Sequence, residues 1–599
     1  MIDLSKARNI NHLWGKLIIE ELIRCGVDYF CISPGSRSAP LVTGVAENKR
    51  AESCVHYDER GLAYHALGYV SSTGKPACVI VTSGTAVANC FPAVIEASKK
   101  KIPLIILSAD RPPELRHTGA NQVIDQVKIF GDYARFYFDM PCPSVEVPLE
   151  MVLTTICQAV YRSKSGIPGP AHINCMFREP LVPLKDKKYS IKYSRAVKQW
   201  AMGELPFTRY ILPGKGLLEP ALASVVTEIE KIKKGIIVVG KLKGQEERES
   251  VLKIARKLNW PVFPDIGSGL RFNSNDSHII HYFDQLLLDS AAAVKFAPDG
   301  ILHLGGRMTS RRLLEFIESS RPIRYIMALN HPLRNDPLHN VTLRVESAAG
   351  NFCDALYGNL KPREEKGYVS LLKKESDKIS KSISSFCAKQ TSLTAPGIAR
   401  VVCGETAEKT GVFLASSMSI RIMDMFCGKN DNFFIFGSNR GASGIDGTIA
   451  TAAGFAKGIN APCVLLLGDL SFLHDLNSLS LLKSARHPFV IIVLNDNGGG
   501  IFSFLPIASF SQFSEKYFFA PHGLNFEQAG KMFGIPYERP KNIRDFSDSY
   551  KKALKGSGPV IIEIILSREA NSAAIKTLQK GIIKSLKQSR ACSPNRTGK

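Results

Sequence analysis

Val464-Leu465-Leu466-Leu467-Gly468-Asp469-Leu470-Ser471 and Phe489-Val490-Ile491-Ile492-Val493-Leu494-Asn495-Asp496-Asn497-Gly498-Gly499-Gly500 decide how this chain is read. Each is a short apolar run that stops in a polar turn, the pattern of a buried strand running into a loop. Asp469 and Asp496 are separated by 26 residues. Two strand ends therefore offer hard oxygen ligands side by side, and a glycine-rich turn adds a backbone carbonyl. Mg²⁺ prefers such oxygen ligation, completed by phosphates, so a diphosphate is the natural partner. Taken singly, GD and NDNGGG are also the residues that dominate ordinary turns.

The same rhythm runs outward through the chain. Leu13, Trp14, Leu17, Ile18 and Leu22 recur at helical spacing, and Gly26 stops the pattern. Val27–Ile32 then runs into Ser33-Pro34-Gly35-Ser36-Arg37-Ser38, Ala77–Val81 into Thr82-Ser83-Gly84-Thr85, and Pro103–Leu107 into Ser108-Ala109-Asp110-Arg111. Gly235–Val239, Pro261–Asp265 and Gly300–Leu304 repeat it, as do Gly411–Leu414, Phe433–Phe436 and Val560–Ile565. Strands alternating with helical stretches predict α/β architecture: three doubly wound parallel-sheet domains whose polar loops follow the strand ends, where open α/β sheets bind ligands. The expected domains are 1–185, 205–360 and 380–575, with linkers at Pro183–Gly203 and Lys361–Lys374 and a basic tail over 576–599.

Composition agrees with a multidomain globular protein. The chain has 599 residues, 45% of them hydrophobic and 22% charged, which excludes disorder, a collagen-like fibre and a disulfide-stapled miniprotein. No apolar run approaches the ~20 residues of a membrane span, and the first residues lack a secretory signal, so a cytoplasmic location is expected. Fourteen cysteines, none in a CxxC pair, read as buried free thiols; zinc is set aside because no ligand cluster is visible in the sequence. The net charge of +23 leaves nucleic acid, anionic membrane and anionic substrates open.

The GD-to-ND spacing resembles the cofactor motif of thiamine diphosphate enzymes. ISPGSRSAPL (Ile32–Leu41), HYDERGLAYHALG (His56–Gly68), TSGTAVAN (Thr82–Asn89), ADRPPEL (Ala109–Leu115), SNRGASGIDG (Ser438–Gly447) and NGGGIFSFLP (Asn497–Pro506) are similar to the 2-succinyl-5-enolpyruvyl-6-hydroxy-3-cyclohexene-1-carboxylate synthase family of the menaquinone pathway. The likeness is dense in the first and last domains and thin in the middle one. It implies a pyrimidine-binding, a central and a diphosphate-binding domain. It also implies thiamine diphosphate with Mg²⁺, for which Mn²⁺ can substitute, and a homodimer or homotetramer with active sites at the subunit interface. The implied transferase reaction decarboxylates 2-oxoglutarate and adds the resulting carbanion to isochorismate.

The resemblance also assigns residues. Glu59 of HYDERG is the acid that hydrogen-bonds the aminopyrimidine, and Gln122 and Arg440 join it as catalytic residues. Ser83, Gly84, Ser417, Gly444 and Ile445 fall to the cofactor, with Ile445 propping its bent shape; so do Leu470, Ser471, Ile501 and Phe502. The metal ligands are Asp469, Asp496 and the Gly498 carbonyl. Asp496 departs from the Asn of many relatives and adds a negative charge. Both substrates are dianions, which suits Ser36, Arg37, Arg111, Asn121, Gln122, Ser417, Arg421 and Arg440. Arg311 of the middle domain stands where some relatives carry Lys, and Phe502 and Leu505 would wall the pocket.

Other readings stand beside these. Asp58, Glu59 and Arg60 also read as a surface ion-pair cluster, and Ile445, Phe502 and Leu505 as ordinary core. Another thiamine enzyme, a 2-oxo acid decarboxylase or acetolactate-type synthase, would share Glu59, Asp469 and Asp496 but needs fewer arginines. A basic nucleic-acid-binding protein is disfavoured: no zinc knuckle, RRM-type aromatic motif or RGG run appears.

Overall fold

A computed structural model describes residues 2–185, 191–211, 219–272, 274–364 and 366–591. Three parallel sheets carry the fold. The first contains β1 (Tyr29–Ile32), β2 (Glu52–Val55), β3 (Ala77–Val81), β4 (Leu104–Asp110), β5 (Phe136–Met140) and β6 (Ala171–Met176), in the order β2-β1-β3-β4-β6-β5. The second contains β7 (Gly235–Val239), β8 (Val262–Pro264), β9 (Gly300–Leu304), β10 (Arg324–Leu329) and β11 (Leu343–Glu346), ordered β11-β10-β9-β7-β8. The third contains β12 (Gly411–Leu414), β13 (Ile435–Gly437), β14 (Cys463–Gly468), β15 (Phe489–Asn495), β16 (Tyr537–Glu538) and β17 (Pro559–Ile565), ordered β13-β12-β14-β15-β17-β16.

Central strands β3, β4 and β15 are buried at every position, as expected where helices cover both faces of a parallel sheet. Each sheet has a point where the strand order reverses, between β1 and β3, β7 and β9, and β12 and β14. The loops that follow these strands open a crevice at the carboxyl edge, where such sheets bind ligands. Asp469 and Asp496 directly follow β14 and β15, which pair in parallel from Cys463 with Phe489 to Gly468 with Leu494.

The chain forms two compact units. One comprises Met1–Pro213, Asn439–Ala461 and Ser471–Arg486 and carries the first sheet. Its opening helix, Ile10–Arg24, starts at Asn9, whose side chain accepts from His12 N, and packs into a core with Trp14, Phe30, Ile105 and Ile156. Helices Glu59–Thr73 and Thr448–Ile459 cross closely in this unit, where a Cβ at Gly454 would lie 1.9 Å from the His65 carbonyl oxygen. The other unit comprises Gly214–Ser438, Pro462–Leu470 and His487–Lys599. One apolar cluster there joins Ile236, Phe263 and Ile301 of the second sheet to Val412, Val464 and Ile492 of the third, so those two sheets share a core.

Three sequence expectations change. Within the expected first linker, Val197, Trp200 and Ala201 are buried in the core of the first unit. In the second, a helix runs over Tyr368–Ala388 and buries Leu372. The basic tail is the greater correction: Arg568–Ala591 is one helix, with Ile575, Leu578, Ile582 and Leu586 buried in the core of the second unit. Their spacing of three and four residues lays one apolar stripe along a basic helix, and full burial of each such side chain contributes about 1.5–3 kcal/mol.

Candidate active site

Glu59 opens the helix that follows β2. Asp58 caps that helix, accepting from Arg60 N at 3.0 Å and Gly61 N at 3.3 Å, so its charge serves the helix terminus. Glu59 takes its bonds from neutral donors: Ser33 Oγ donates to Oε1 at 3.1 Å and Asn89 Nδ2 to Oε2 at 3.2 Å. Ser33 lies just past β1, beside the reversal point of the first sheet, so the carboxyl is tied to the ligand-binding edge. The ion-pair reading of DER therefore fails for its central residue. His56 is buried, bonds Ser480 Oγ through Nδ1 at 3.2 Å and has no partner at Nε2. Burial pushes its pKa down, so the ring is neutral.

A polar constellation lies on the neighbouring loops of the same unit. Arg111 donates to Ser83 Oγ, and its other terminal nitrogen lies 3.5 Å from Gln122 Oε1. Gln122, at φ +59°, donates through Nε2 to the Ser83 carbonyl at 2.9 Å. Gly84 adopts φ +80°. Arg37 donates to the Phe177 carbonyl at 2.9 Å and pairs with Glu179 at 3.4 Å, while its buried Nε has no partner. Burial, then the charge of Arg37, lowers the pKa of Arg111. Two guanidinium groups that feel each other in a half-buried crevice suit a ligand with more than one carboxylate. Ser36 and Asn121 are exposed at the rim.

The other unit holds the acidic pair. Asp469 is buried; its Oδ2 accepts from Gly498 N at 2.8 Å and faces His522 Nε2 at 3.1 Å, while Oδ1 accepts from Leu470 N. Burial, then the charge of Asp469, pushes the Asp496 carboxyl up to about 7. Two carboxylates crowded at adjoining strand ends are relieved by a cation between them, so the donor set fits an oxygen-preferring divalent ion. Gly498 is required here: at φ +130° a Cβ would meet the Phe519 carbonyl oxygen at 1.9 Å. Asn495 is occupied elsewhere, donating to Glu563 Oε1 at 2.5 Å and to the Leu524 carbonyl at 3.0 Å. Ser417 holds φ +67°, a strained position for a non-glycine residue, and its carbonyl accepts from Arg421 Nη1 at 2.6 Å.

Three sequence matches describe this chain further. It matches the thiamine pyrophosphate enzyme N-terminal TPP binding domain over residues 14–129, the middle domain of thiamine pyrophosphate enzymes over 191–413 and the C-terminal TPP binding domain over 421–564. It is 42% identical to the 2-succinyl-5-enolpyruvyl-6-hydroxy-3-cyclohexene-1-carboxylate synthase of Rubrobacter xylanophilus, over 95% of this chain and 98% of that protein. It is 41% identical to the synthase of the same name from Chlorobium phaeobacteroides, over 96% and 98%. The chain belongs to this synthase family. It is thus a thiamine diphosphate enzyme. Among solved structures, the Rhodococcus jostii 4-hydroxybenzoylformate decarboxylase aligns with a TM-score of 0.68 over 92% of this chain and 99% of its own. At 14% identity that likeness is one of fold.

Residues outside the sequence motifs hold the loops that carry the candidate site. Gln126, fully buried, accepts from Gly84 N at 3.0 Å and donates to Asn174 Oδ1 at 2.8 Å, fixing the turn after β3. Glu96 accepts from Gly441 N at 2.8 Å and Ala442 N at 2.6 Å, and Tyr64 donates to Asp446 at 2.7 Å, so the loop bearing Arg440, Gly444 and Ile445 is clamped at both ends. A Cβ at Gly447 would lie 1.9 Å from the Tyr64 ring, which explains that glycine. Ile445 and Arg440 are half-buried and Ser471 is buried.

Other assignments fare differently in the second unit. Phe502 packs edge-on against Phe518 with centroids 5.4 Å apart, and Ile501 is half-buried. Leu505 is exposed rather than part of an enclosed wall. Arg311 is 80% exposed and pairs with Glu315 at 2.8 Å along its own helix, while its neighbour Arg312 reaches the buried Asp284 at 2.6 Å. No helix among the described residues is long and apolar enough to cross a membrane.

Proposed function

We propose that the synthase, with thiamine diphosphate and Mg²⁺, releases CO2 from 2-oxoglutarate and adds the remaining four-carbon unit to isochorismate. The product is 2-succinyl-5-enolpyruvyl-6-hydroxy-3-cyclohexene-1-carboxylate. The observation that carries this reading is Glu59, held by the neutral donors Ser33 and Asn89 at the carboxyl edge of the first sheet. When bound, thiamine diphosphate supplies the nucleophilic carbon and the electron sink for decarboxylation.

The chain's residues do the rest. Glu59 holds a proton at its carboxyl for the far ring nitrogen of the aminopyrimidine. Asp469, Asp496 and the Gly498 carbonyl hold Mg²⁺, with Mn²⁺ as a substitute. Ser83, Gly84, Ser417, Gly444, Ile445, Leu470, Ser471, Ile501 and Phe502 would line the cofactor. Arg37 and Arg111 bind carboxylates, joined by Arg421, Arg440, Ser36 and Asn121, and Gln122 orients the reacting carbonyl. The mutual influence of Arg37 and Arg111 favours dianionic substrates over a small monoanion.

A second copy of the chain completes the site. Val55 and Tyr57, 64% and 59% exposed, flank Glu59 on the edge strand β2 and its loop, and large apolar side chains on an open edge call for a cover. Arg311 and Leu505, exposed in one chain, reach substrate only in that assembly.

CO2 release from 2-oxoglutarate, measured with and without isochorismate and with products identified by mass spectrometry, tests the reading. Release coupled to the condensed product is expected. Turnover of pyruvate in place of 2-oxoglutarate would assign the chain to a different 2-oxo acid chemistry.

A further inference from the structure

Fourteen cysteines with no CxxC spacing gave no reason to expect a thiolate metal site. The fold nevertheless gathers three donors in the first unit, away from the catalytic loops. Glu21 and Cys25 lie four residues apart at the end of helix Ile10–Arg24, a spacing that sets two side chains on one helix face. Cys157, on helix Leu149–Lys164, faces them across the helix packing. Cys25 Sγ and Cys157 Sγ are 3.8 Å apart, and Cys157 Sγ lies 2.7 Å from Glu21 Oε1. The three donor atoms all fall within 4.8 Å of one another.

We propose that Glu21, Cys25 and Cys157 form a binding site for a thiophilic divalent cation, zinc by its coordination chemistry, separate from the Mg²⁺ site at Asp469 and Asp496. Two thiolates on a tetrahedral zinc, each at a bond length of about 2.3 Å, lie about 3.8 Å apart, which is the spacing found here. A carboxylate oxygen supplies the third ligand. Cys25 is half-buried and leaves the fourth position to solvent, which also gives the ion an entry path. A disulfide would use neither the carboxylate nor this spacing, since bonded sulfurs are about 2.05 Å apart.

The surroundings support a ligated centre. Trp200 Nε1 donates to Glu21 Oε2 at 2.7 Å and Phe207 N to Oε1 at 2.6 Å, while Thr208 N donates to Cys157 Sγ at 3.3 Å. Bonds from N–H groups to first ligands orient them and stabilise their charged forms. Two thiolates, a carboxylate and a divalent ion carry one net negative charge. Arg24, its side chain fully buried and its charge acting on Glu21, has an unpartnered Nη2 and answers that charge. Without the ion, burial holds Glu21 above the usual carboxylate range, and the Cys25 thiol together with burial pushes Cys157 up. Binding transfers both thiol protons to the buffer as two sulfur–metal bonds form. The ion would tie both helices to the Phe207–Thr208 segment that leads out of the first unit.

The test uses the full-length protein with Mg²⁺ in excess to fill the oxygen site. Loading with zinc and desalting should leave one zinc per chain by elemental analysis. Co²⁺ in its place should give near-ultraviolet thiolate-to-metal charge transfer, a signature that oxygen ligands do not produce. Cys25→Ser and Cys157→Ser should each lose the band and the retained zinc, and Glu21→Gln should weaken retention. Wild-type protein that keeps no zinc and shows no charge-transfer band overturns the proposal, whatever the variants do. So does a band that survives in both cysteine variants, or a Cys25–Cys157 disulfide found in non-reduced digests of zinc-treated protein.

Discussion

The two polar centres of this synthase are built on opposite electrostatic terms. Around Glu59 the carboxyl is answered by Ser33 and Asn89, the helix terminus by Asp58 and the turn after β3 by Gln126, all within its own unit. Around Asp469 two acids crowd one another, and burial with that repulsion holds Asp496 at about 7. The first centre has its bonds in place within the chain, whereas the second carries a repulsion that a cation would relieve. One chain thus carries two kinds of polar centre, one whose hydrogen bonds are met locally and one in which buried like charges face each other.

The largest effect that would break this comparison is at Glu59. Glu59→Gln should retain fold and cofactor binding but lose about 10²–10⁴-fold in turnover, because the amide has no acidic proton to offer. Steady-state CO2 release alongside calorimetric cofactor titration checks it, and near-normal turnover would remove Glu59 from the mechanism. Next in size, Leu586→Ala empties a fully buried position in the core of the second unit and should cost about 2–4 kcal/mol in urea unfolding. If the helix were a solvated tail, the midpoint would not move.

Asp496→Asn sharpens the contrast itself. In EDTA the variant should be more stable than wild type by about 1 kcal/mol, since one of two like charges is gone. With Mg²⁺ the order should reverse as the lost ligand weakens binding. Thermal melts in both buffers decide, and parallel curves would mean the acids do not share a cation.

An effect of similar size lies outside both centres, in the second unit. Burial opposes ionisation of Asp276, but bonds from His278 and Arg256 overcome it and hold the carboxyl down at about 2. A depressed carboxylate contributes stability above its unfolded pKa and loses it as pH falls through the folded value. Asp276→Asn should therefore cost about 1–2 kcal/mol at pH 7. That difference should shrink below about pH 4, measured by denaturant unfolding across the range.

Legibility in the sequence followed burial. β3, β7, β9 and β12 coincide with apolar runs bounded by glycine or proline, because central strands of a parallel sheet are covered on both faces. β2 escaped notice because Glu-Ser-Cys-Val at a sheet edge is largely exposed and has no apolar run to show. The terminal helix was misread for the opposite reason: its lysines dominate the composition, while the stripe of Ile575, Leu578, Ile582 and Leu586 appears only at helical spacing. Of the site, the residues in dense motifs were visible, but Gln126 and Glu96 were not. Each acts through bonds to backbone N–H groups, and such a role leaves no mark on residue spacing.

By itself the sequence determined the three-sheet α/β plan, the strand ends that carry Arg111, Asp469 and Asp496, and the family to which the chain is similar. All of these are written in short local patterns of apolar runs and polar turns. Only the tertiary structure decided that Glu59 bonds Ser33 and Asn89, that the basic helix buries Ile575, Leu578, Ile582 and Leu586, and that Cys25 meets Cys157 across 132 residues of chain. Those outcomes depend on which helix face packs against which neighbour, a long-range choice made by burial of apolar surface and not encoded at any single position.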